Sequence, residues 1–203
     1  MLVSEAKKAL RHQAEVRRRE ARRILGAAAG EAVRERFLAA MADMGLAGEP
    51  AGRVVAGYWP MADEIDLRPL LARLYEIGFE CALPVVTGRG RPLVFRRWTP
   101  ATTLRRAGFG LSEPGPDAPE FAPEVLLVPL LAFDVEGYRL GHGAGYYDIT
   151  LAALRHERAV LAVGVAFAAQ EVARVPRQDH DQRLDWIVTE ERATPTGVGG
   201  GRR

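Results

Sequence analysis

Ten consecutive residues, Arg139-Leu140-Gly141-His142-Gly143-Ala144-Gly145-Tyr146-Tyr147-Asp148, gather the side chains of this chain best suited to chemistry. Gly141, Gly143 and Gly145 remove three side chains from a short loop, so backbone N–H groups can approach an anion and point at it. A helix starting near Tyr146 would add unsatisfied N–H groups and a positive dipole end. Arg139 adds a full positive charge, and Asp148 offers hard oxygens for a divalent cation. The chemistry indicated is phosphate binding with a metal ion beside it. Alone, a Gly-x-Gly-x-Gly loop fits a tight turn equally well, and an acid in a first helical turn can simply complement the dipole. Arg139, the paired tyrosines and Asp148 make the phosphate reading specific. The run lacks the Lys-Ser/Thr of a Walker A loop and the Gly-x-Gly-x-x-Gly spacing of dinucleotide folds.

Elements on either side must hold this loop. Ser4 can cap a helix to about Leu25, which Gly26 and Gly30 separate from a second helix carrying Val33, Phe37, Ala40, Met41 and Met44 at helical period. Arg53 to Tyr58 reads as a short buried strand, and Leu67, Leu70, Leu71, Leu74 and Ile77 as a helix ended by Gly78. Cys81 to Val86 and Leu93 to Trp98 read as strands, and Thr99 to Pro123 as a long irregular loop. Val125 to Phe133 and Ala159 to Phe167 are continuous apolar runs, the pattern of central strands buried on both faces. Between them lie the glycine loop and a helix to about His156; Trp186 to Thr189 gives a last strand. The alternation predicts a single α/β domain over residues 1–193, with two N-terminal helices and an open, mainly parallel, Rossmann-like sheet flanked by helices. Ligands are expected at the carboxyl ends of its strands. Residues 194–203 read as a flexible Gly-rich tail.

The ten-residue run resembles the signature of the 5-formyltetrahydrofolate cyclo-ligase family, also called 5,10-methenyltetrahydrofolate synthetase. Similar family blocks appear in order at Lys7 to Arg11, Tyr58 to Asp66, Leu83 to Val86, Phe109 to Pro114, Val128 to Asp134 and Asp185 to Glu190. The resemblance implies ATP-dependent closure of 5-formyltetrahydrofolate to 5,10-methenyltetrahydrofolate, with ADP and phosphate released. It implies that Arg139, Tyr146 and Asp148 are catalytic. Lys7, Lys8, Arg11, Arg139, Gly141, His142, Gly143, Ala144, Gly145, Tyr146 and Tyr147 would surround ATP, and Asp148 and Asp185 would hold Mg²⁺. Glu64 would accept hydrogen bonds from the pterin of the reduced folate. Trp59, Met61 and Tyr146, with the loop from His142 to Gly145, would enclose that ring. By itself Glu64 looks like an exposed loop acid, and Trp59 and Met61 could be core. Trp98 reads as packing. The chain departs from common family forms at His142, Ala144 and Ile149, which bears on ATP affinity.

Composition narrows the alternatives. At 203 residues and 48% hydrophobic, the chain can build a sizeable core. No apolar run of the roughly 18 to 20 residues needed to span a bilayer is present. The charged N-terminus lacks a signal-peptide core, so a cytoplasmic protein without membrane contact is expected. Cys81 has no cysteine to pair with and sits in a strand-like apolar run as a small hydrophobe. His12, His156 and His180 lack metal-ligand spacing. Net charge is only +2, yet the first 23 residues include Lys7, Lys8, Arg11, Arg17, Arg18, Arg19, Arg22 and Arg23. That segment reads as a solvated helix face or, for Lys7 and Arg11 four apart, as phosphate contacts. Nucleic-acid binding is disfavoured because no aromatics interleave the cations. Arg96, Arg97, Arg105 and Arg106 could meet an anionic polyglutamate tail. A rival reading keeps the loop for a sugar phosphate or a coenzyme A derivative.

Overall fold

Val125 to Val128 are almost wholly buried, which places β7 (Val125–Pro129) at the centre of the sheet, as an unbroken apolar run requires. The computed structural model describes residues 3–197, Phe109 by its backbone only. Helices α1 (Val3–Leu25) and α2 (Ala28–Ala40) precede β1 (Val54–Ala56), α3 (Arg68–Glu76), β2 (Glu80–Val85) and β3 (Val94–Trp98). There follow β4 (Leu104–Arg106), β5 (Ser112–Pro114) and β6 (Glu120–Phe121), then β7, β8 (Ala132–Phe133) and β9 (Arg139–Leu140). Helix α4 (Tyr146–Glu157), β10 (Leu161–Val165), β11 (Trp186–Val188) and β12 (Ala193–Pro195) complete the order.

The main sheet runs β12-β11-β10-β7-β1-β2-β3-β6. From β11 to β2 every neighbouring pair is parallel, while β12, β3 and β6 pair antiparallel at the edges. Helices α2 and α3 cover one face through Phe37, Leu70, Leu71 and Leu74; α4 covers the other through Leu151. Full burial of each such leucine contributes about 1.5 to 3 kcal/mol. A third, smaller cluster seats α1 on the β8–β9 hairpin, with Leu10 and Ala14 against Leu131, Ala132 and Leu140. That contact carries α1 to the glycine loop.

Several boundaries differ from the sequence reading. Ser4 lies inside α1 rather than capping it. Gly30 does not break a helix. It lies within α2, where a Cβ would stand 2.5 Å from the Asp66 carbonyl oxygen, so the absent side chain permits close packing. The run Val125 to Phe133 is interrupted after Pro129, and Gln170 Nε2 donates to the carbonyls of Leu130 and Leu131 at 2.7 and 3.0 Å. The expected loop from Thr99 to Pro123 contains the β4–β5 hairpin and the edge strand β6. Residues 194 and 195, assigned to the tail, pair with β11 as part of β12; residues 198–203 lie outside the described residues.

Candidate active site

The glycine loop links β9 to α4, just beyond the carboxyl end of β7, where Leu131 N–H donates to the Leu140 carbonyl. Gly143 and Gly145 have φ of +103° and +73°, the left-handed region that glycine enters without strain. Gly145 is also the N-cap of α4 and supplies no side-chain cap. The first-turn N–H groups of this helix are therefore available to an anion.

Helix α1 lays its cations across the loop. Its buried residues are Lys7, Ala14, Arg18 and Ala21, and half-buried Arg11 continues the same stripe. Arg11 Nε donates to the Gly141 carbonyl at 2.9 Å, and a Cβ on Gly143 would come within 3.3 Å of the guanidinium. Lys7 Nζ is 2.5 Å from Asp181 Oδ2 and donates to Gln178 Oε1 at 3.3 Å. Lys8, about 100° further round the helix, is exposed and stays outside the group.

Arg139 is 8% exposed, and its Nη1 donates to the Gln182 carbonyl at 2.5 Å. Its Nη2 donates to Asp148 Oδ1 at 2.8 Å, an oxygen that also accepts Gln182 N–H at 2.9 Å. Asp185 is placed elsewhere. It precedes β11, where Oδ2 accepts Arg155 Nη2 at 2.9 Å and the N–H of Ala162, near the start of β10, at 2.8 Å. Asp148 and Asp185 thus do not face a common point; Arg155, seven residues along α4 from Asp148, stands between their networks. Among the described residues no three His, Cys, Asp or Glu side chains cluster as a metal-holding group.

On the other side of the loop, Glu64 is 5% exposed, not a surface acid. Its turn is closed twice, by Glu64 N–H to the Met61 carbonyl at 2.8 Å and by Met61 N–H to Glu64 Oε2 at 3.0 Å. The other oxygen, Oε1, faces Arg18 Nη1 at 3.7 Å and His142 Nε2 at 3.8 Å. The exposed His142 therefore joins the glycine loop to the Glu64 turn, with Arg18 3.5 Å away. Ala144 is exposed on the loop. Trp59 is half-buried between Trp98, at a centroid distance of 6.2 Å, and the Arg68 guanidinium, 5.6 Å from its ring; Met61 is half-buried beside it in sequence. Tyr146 and Tyr147 pack on the α4 side of the core. Burial pushes the Tyr147 phenol above its ordinary range and the Glu64 charge adds to this, while Arg139 opposes it. Tyr58, fully enclosed and donating to the Ile65 carbonyl at 3.2 Å, is shifted upward chiefly by burial, with Glu64 next. Sequence reasoning missed Arg18, Asp63 and Asp181 as members of this assembly. The signal for Arg18 was its place on the stripe of Lys7, Arg11, Ala14 and Ala21.

An open α/β sheet carries a cation-lined glycine loop beside a buried carboxylate, an arrangement suited to an α/β enzyme. The profile of the 5-formyltetrahydrofolate cyclo-ligase family matches residues 3–190, and the chain belongs to that family. It is similar to the 5-formyltetrahydrofolate cyclo-ligases of Mycolicibacterium smegmatis, 36% identical with 70% of this chain and 76% of that one covered, and Escherichia coli, 34% identical with 66% and 76% covered. Among solved structures, the 5,10-methenyltetrahydrofolate synthetase of Aquifex aeolicus aligns over 100% of this chain and 97% of its own, at 31% identity and a TM-score of 0.69. The synthetase of Mycoplasma pneumoniae, 23% identical over 91% and 99% of the two chains, shares the fold with a TM-score of 0.70. No described helix is long and apolar enough to cross a membrane.

Proposed function

We propose that this enzyme closes 5-formyltetrahydrofolate to 5,10-methenyltetrahydrofolate with conversion of ATP to ADP and phosphate. The observation that carries the reading is one helix, α1, placing Arg11 on the glycine loop and Arg18 beside Glu64. Nucleotide and folate subsites then adjoin. The formyl oxygen is a poor leaving group. Its attack on the γ-phosphorus forms an O–P bond as ADP departs, and the activated carbon is attacked by N10 of the same folate. Phosphate then leaves with the former formyl oxygen, and N10 gives up its proton.

The chain's part in this scheme is positioning and charge neutralisation. Loop N–H groups from Gly141 to Gly145, the first turn of α4 and Arg11 surround the phosphates; Lys7 joins them on exchanging Asp181 for phosphate. Arg139 fixes Asp148 at the mouth of the loop. Glu64 Oε1 receives a pterin N–H, and Trp59, Met61 and Tyr146 enclose the flat ring. Mg²⁺, once bound beside the loop, would offset the negative charge of the phosphates. Asp148, in the first turn of α4 beside the loop, would hold such an ion through Oδ2, whereas Asp185 is paired through Oδ2 with Arg155, seven residues further along that helix. The test is spectroscopic: purified protein should produce the methenyl chromophore from 5-formyltetrahydrofolate only with MgATP. Equal yield without ATP, or stabilisation by sugar phosphates in place of ATP and folate, rejects the proposal.

A further inference from the structure

Arg18 is 4% exposed, between the small residues Ala14 and Ala21 on the buried stripe of α1. Taking a guanidinium out of water is unfavourable unless its N–H donors are met. They are met unevenly. Nη2 donates to Asp63 Oδ1 at 2.9 Å, Nη1 lies 3.5 Å from His142 Nε2 and 3.7 Å from Glu64 Oε1, and buried Nε has no partner among the described residues. A cation serving the fold alone is expected to close its bonds. Arg18 leaves its charge facing the Glu64 oxygen that Met61 N–H does not occupy.

We infer that Arg18 is a positioning residue of the folate subsite: it holds the Asp63-Glu64 turn from α1, keeps Glu64 Oε1 aimed at the ligand and ties that turn to His142 of the glycine loop. The inference rests on the reading of Glu64 as the folate acceptor. It adds a reason for the spacing of the two subsites. Arg11 and Arg18 are seven residues apart, about 10 Å along one rigid helix, so α1 sets the distance between phosphate-binding loop and pterin-binding carboxylate. A ligand N–H arriving at Oε1 completes the coordination of a carboxylate whose charge Arg18 already offsets.

The test compares Arg18→Met, Arg18→Lys and Asp63→Asn in steady-state kinetics, with folding checked by circular dichroism and melting. Arg18→Met should raise KM for 5-formyltetrahydrofolate at least tenfold and leave KM for MgATP within twofold. Arg18→Lys should recover part of the loss, because an ammonium can meet Asp63 but cannot also span Glu64 and His142. Asp63→Asn loosens the same link from a partly exposed position without emptying the buried site. It should show a smaller rise of the same kind, and it decides the matter if Arg18→Met does not fold. An unchanged folate KM in folded variants, or equal rises in both KM values, overturns the positioning role alone. Wild-type protein that neither binds nor cyclises the folate overturns the reading of the site and this inference together.

Discussion

Arg139 Nη2 donates to Asp148 Oδ1 at 2.8 Å across nine residues of sequence, so the two charged ends of the glycine-loop run neutralise one another. The side chains are 4% and 24% exposed, which places the pair at the boundary between core and site. Arg139 is thereby a brace for the first turn of α4 before it is a phosphate ligand, and Asp148 keeps one oxygen for other use.

Replacing each candidate metal ligand by Asn separates its roles. Asp148→Asn should lower turnover at least tenfold, with partial recovery at high Mg²⁺, and should also lower stability, because Arg139 loses its charged partner. Asp185→Asn should leave the Mg²⁺ dependence unchanged. It loses one charge-assisted bond at a surface position, a stability effect of roughly 0.5 to 1.5 kcal/mol. Turnover against Mg²⁺ concentration, with melting temperatures of the same samples, checks both. An equal shift in Mg²⁺ dependence for the two variants would restore Asp185 as a ligand.

The parallel sheet and the loop were legible because their signals are local: apolar runs in Val125 to Val128 and Ala162 to Val165, and glycines at fixed offsets. Arg18 was not, since a charged residue among seven other basic ones reads as solvated unless its helical stripe is followed through Ala14 and Ala21. The roles of Asp181 and Gln182 depend on a loop folding back over α1 and α4, which no short spacing encodes. The basic residues thought to await a polyglutamate tail show the converse. Arg96, Arg97 and Arg105 already face Glu120, Glu80 and Glu113, partners supplied by strand pairing or by a neighbouring strand.

The N-terminal cations should divide by environment. Arg11→Ala should raise KM for ATP about tenfold, the loss of one charge-assisted bond of about 1.5 kcal/mol, with little change in melting temperature. Lys7→Ala strands Asp181 in a mostly buried place and should lower stability by about 3 kcal/mol as well as weakening ATP use. Kinetics over a salt series, with urea unfolding of both variants, provides the comparison. Wild-type ATP dependence in both would reduce α1 to a structural helix.

Cys81 is fully buried, with Sγ 3.6 Å from the Leu71 carbonyl oxygen, and burial pushes its thiol up to about 12. Native protein should resist thiol reagents at pH 8 and react once unfolded. Between about pH 9 and 12 the folded thiol keeps a proton that the unfolded chain releases. Unfolding free energy therefore falls as pH rises through that window, by at most about 4 kcal/mol from this residue. The enclosed phenols of Tyr58 and Tyr147 act in the same direction. Cys81→Ala should give a shallower decline, and unfolding curves from pH 8.5 to 11 on both proteins measure it. Parallel declines would remove Cys81 from the account.

Glu64→Gln keeps the shape of the carboxylate and can still accept Met61 N–H, while the charge facing Arg18 and His142 disappears. If Oε1 receives a pterin N–H, a charge-assisted bond becomes a neutral one, and the amide can instead turn its NH₂ toward the ligand's own donors. Losing roughly 1.5 to 3 kcal/mol of such interaction predicts a rise of about 10- to 150-fold in KM for 5-formyltetrahydrofolate. KM for ATP should move by less than twofold, because Arg11, the loop N–H groups and the first turn of α4 are untouched. A fold-supporting role predicts a different result: buried Arg18 would keep Asp63 as its one carboxylate partner, so melting temperature would fall while the folded fraction kept both KM values. Kinetics with each substrate varied in turn, on samples whose folded fraction is measured, distinguishes these outcomes. Unchanged folate KM in fully folded Glu64→Gln would take Glu64 out of the substrate subsite.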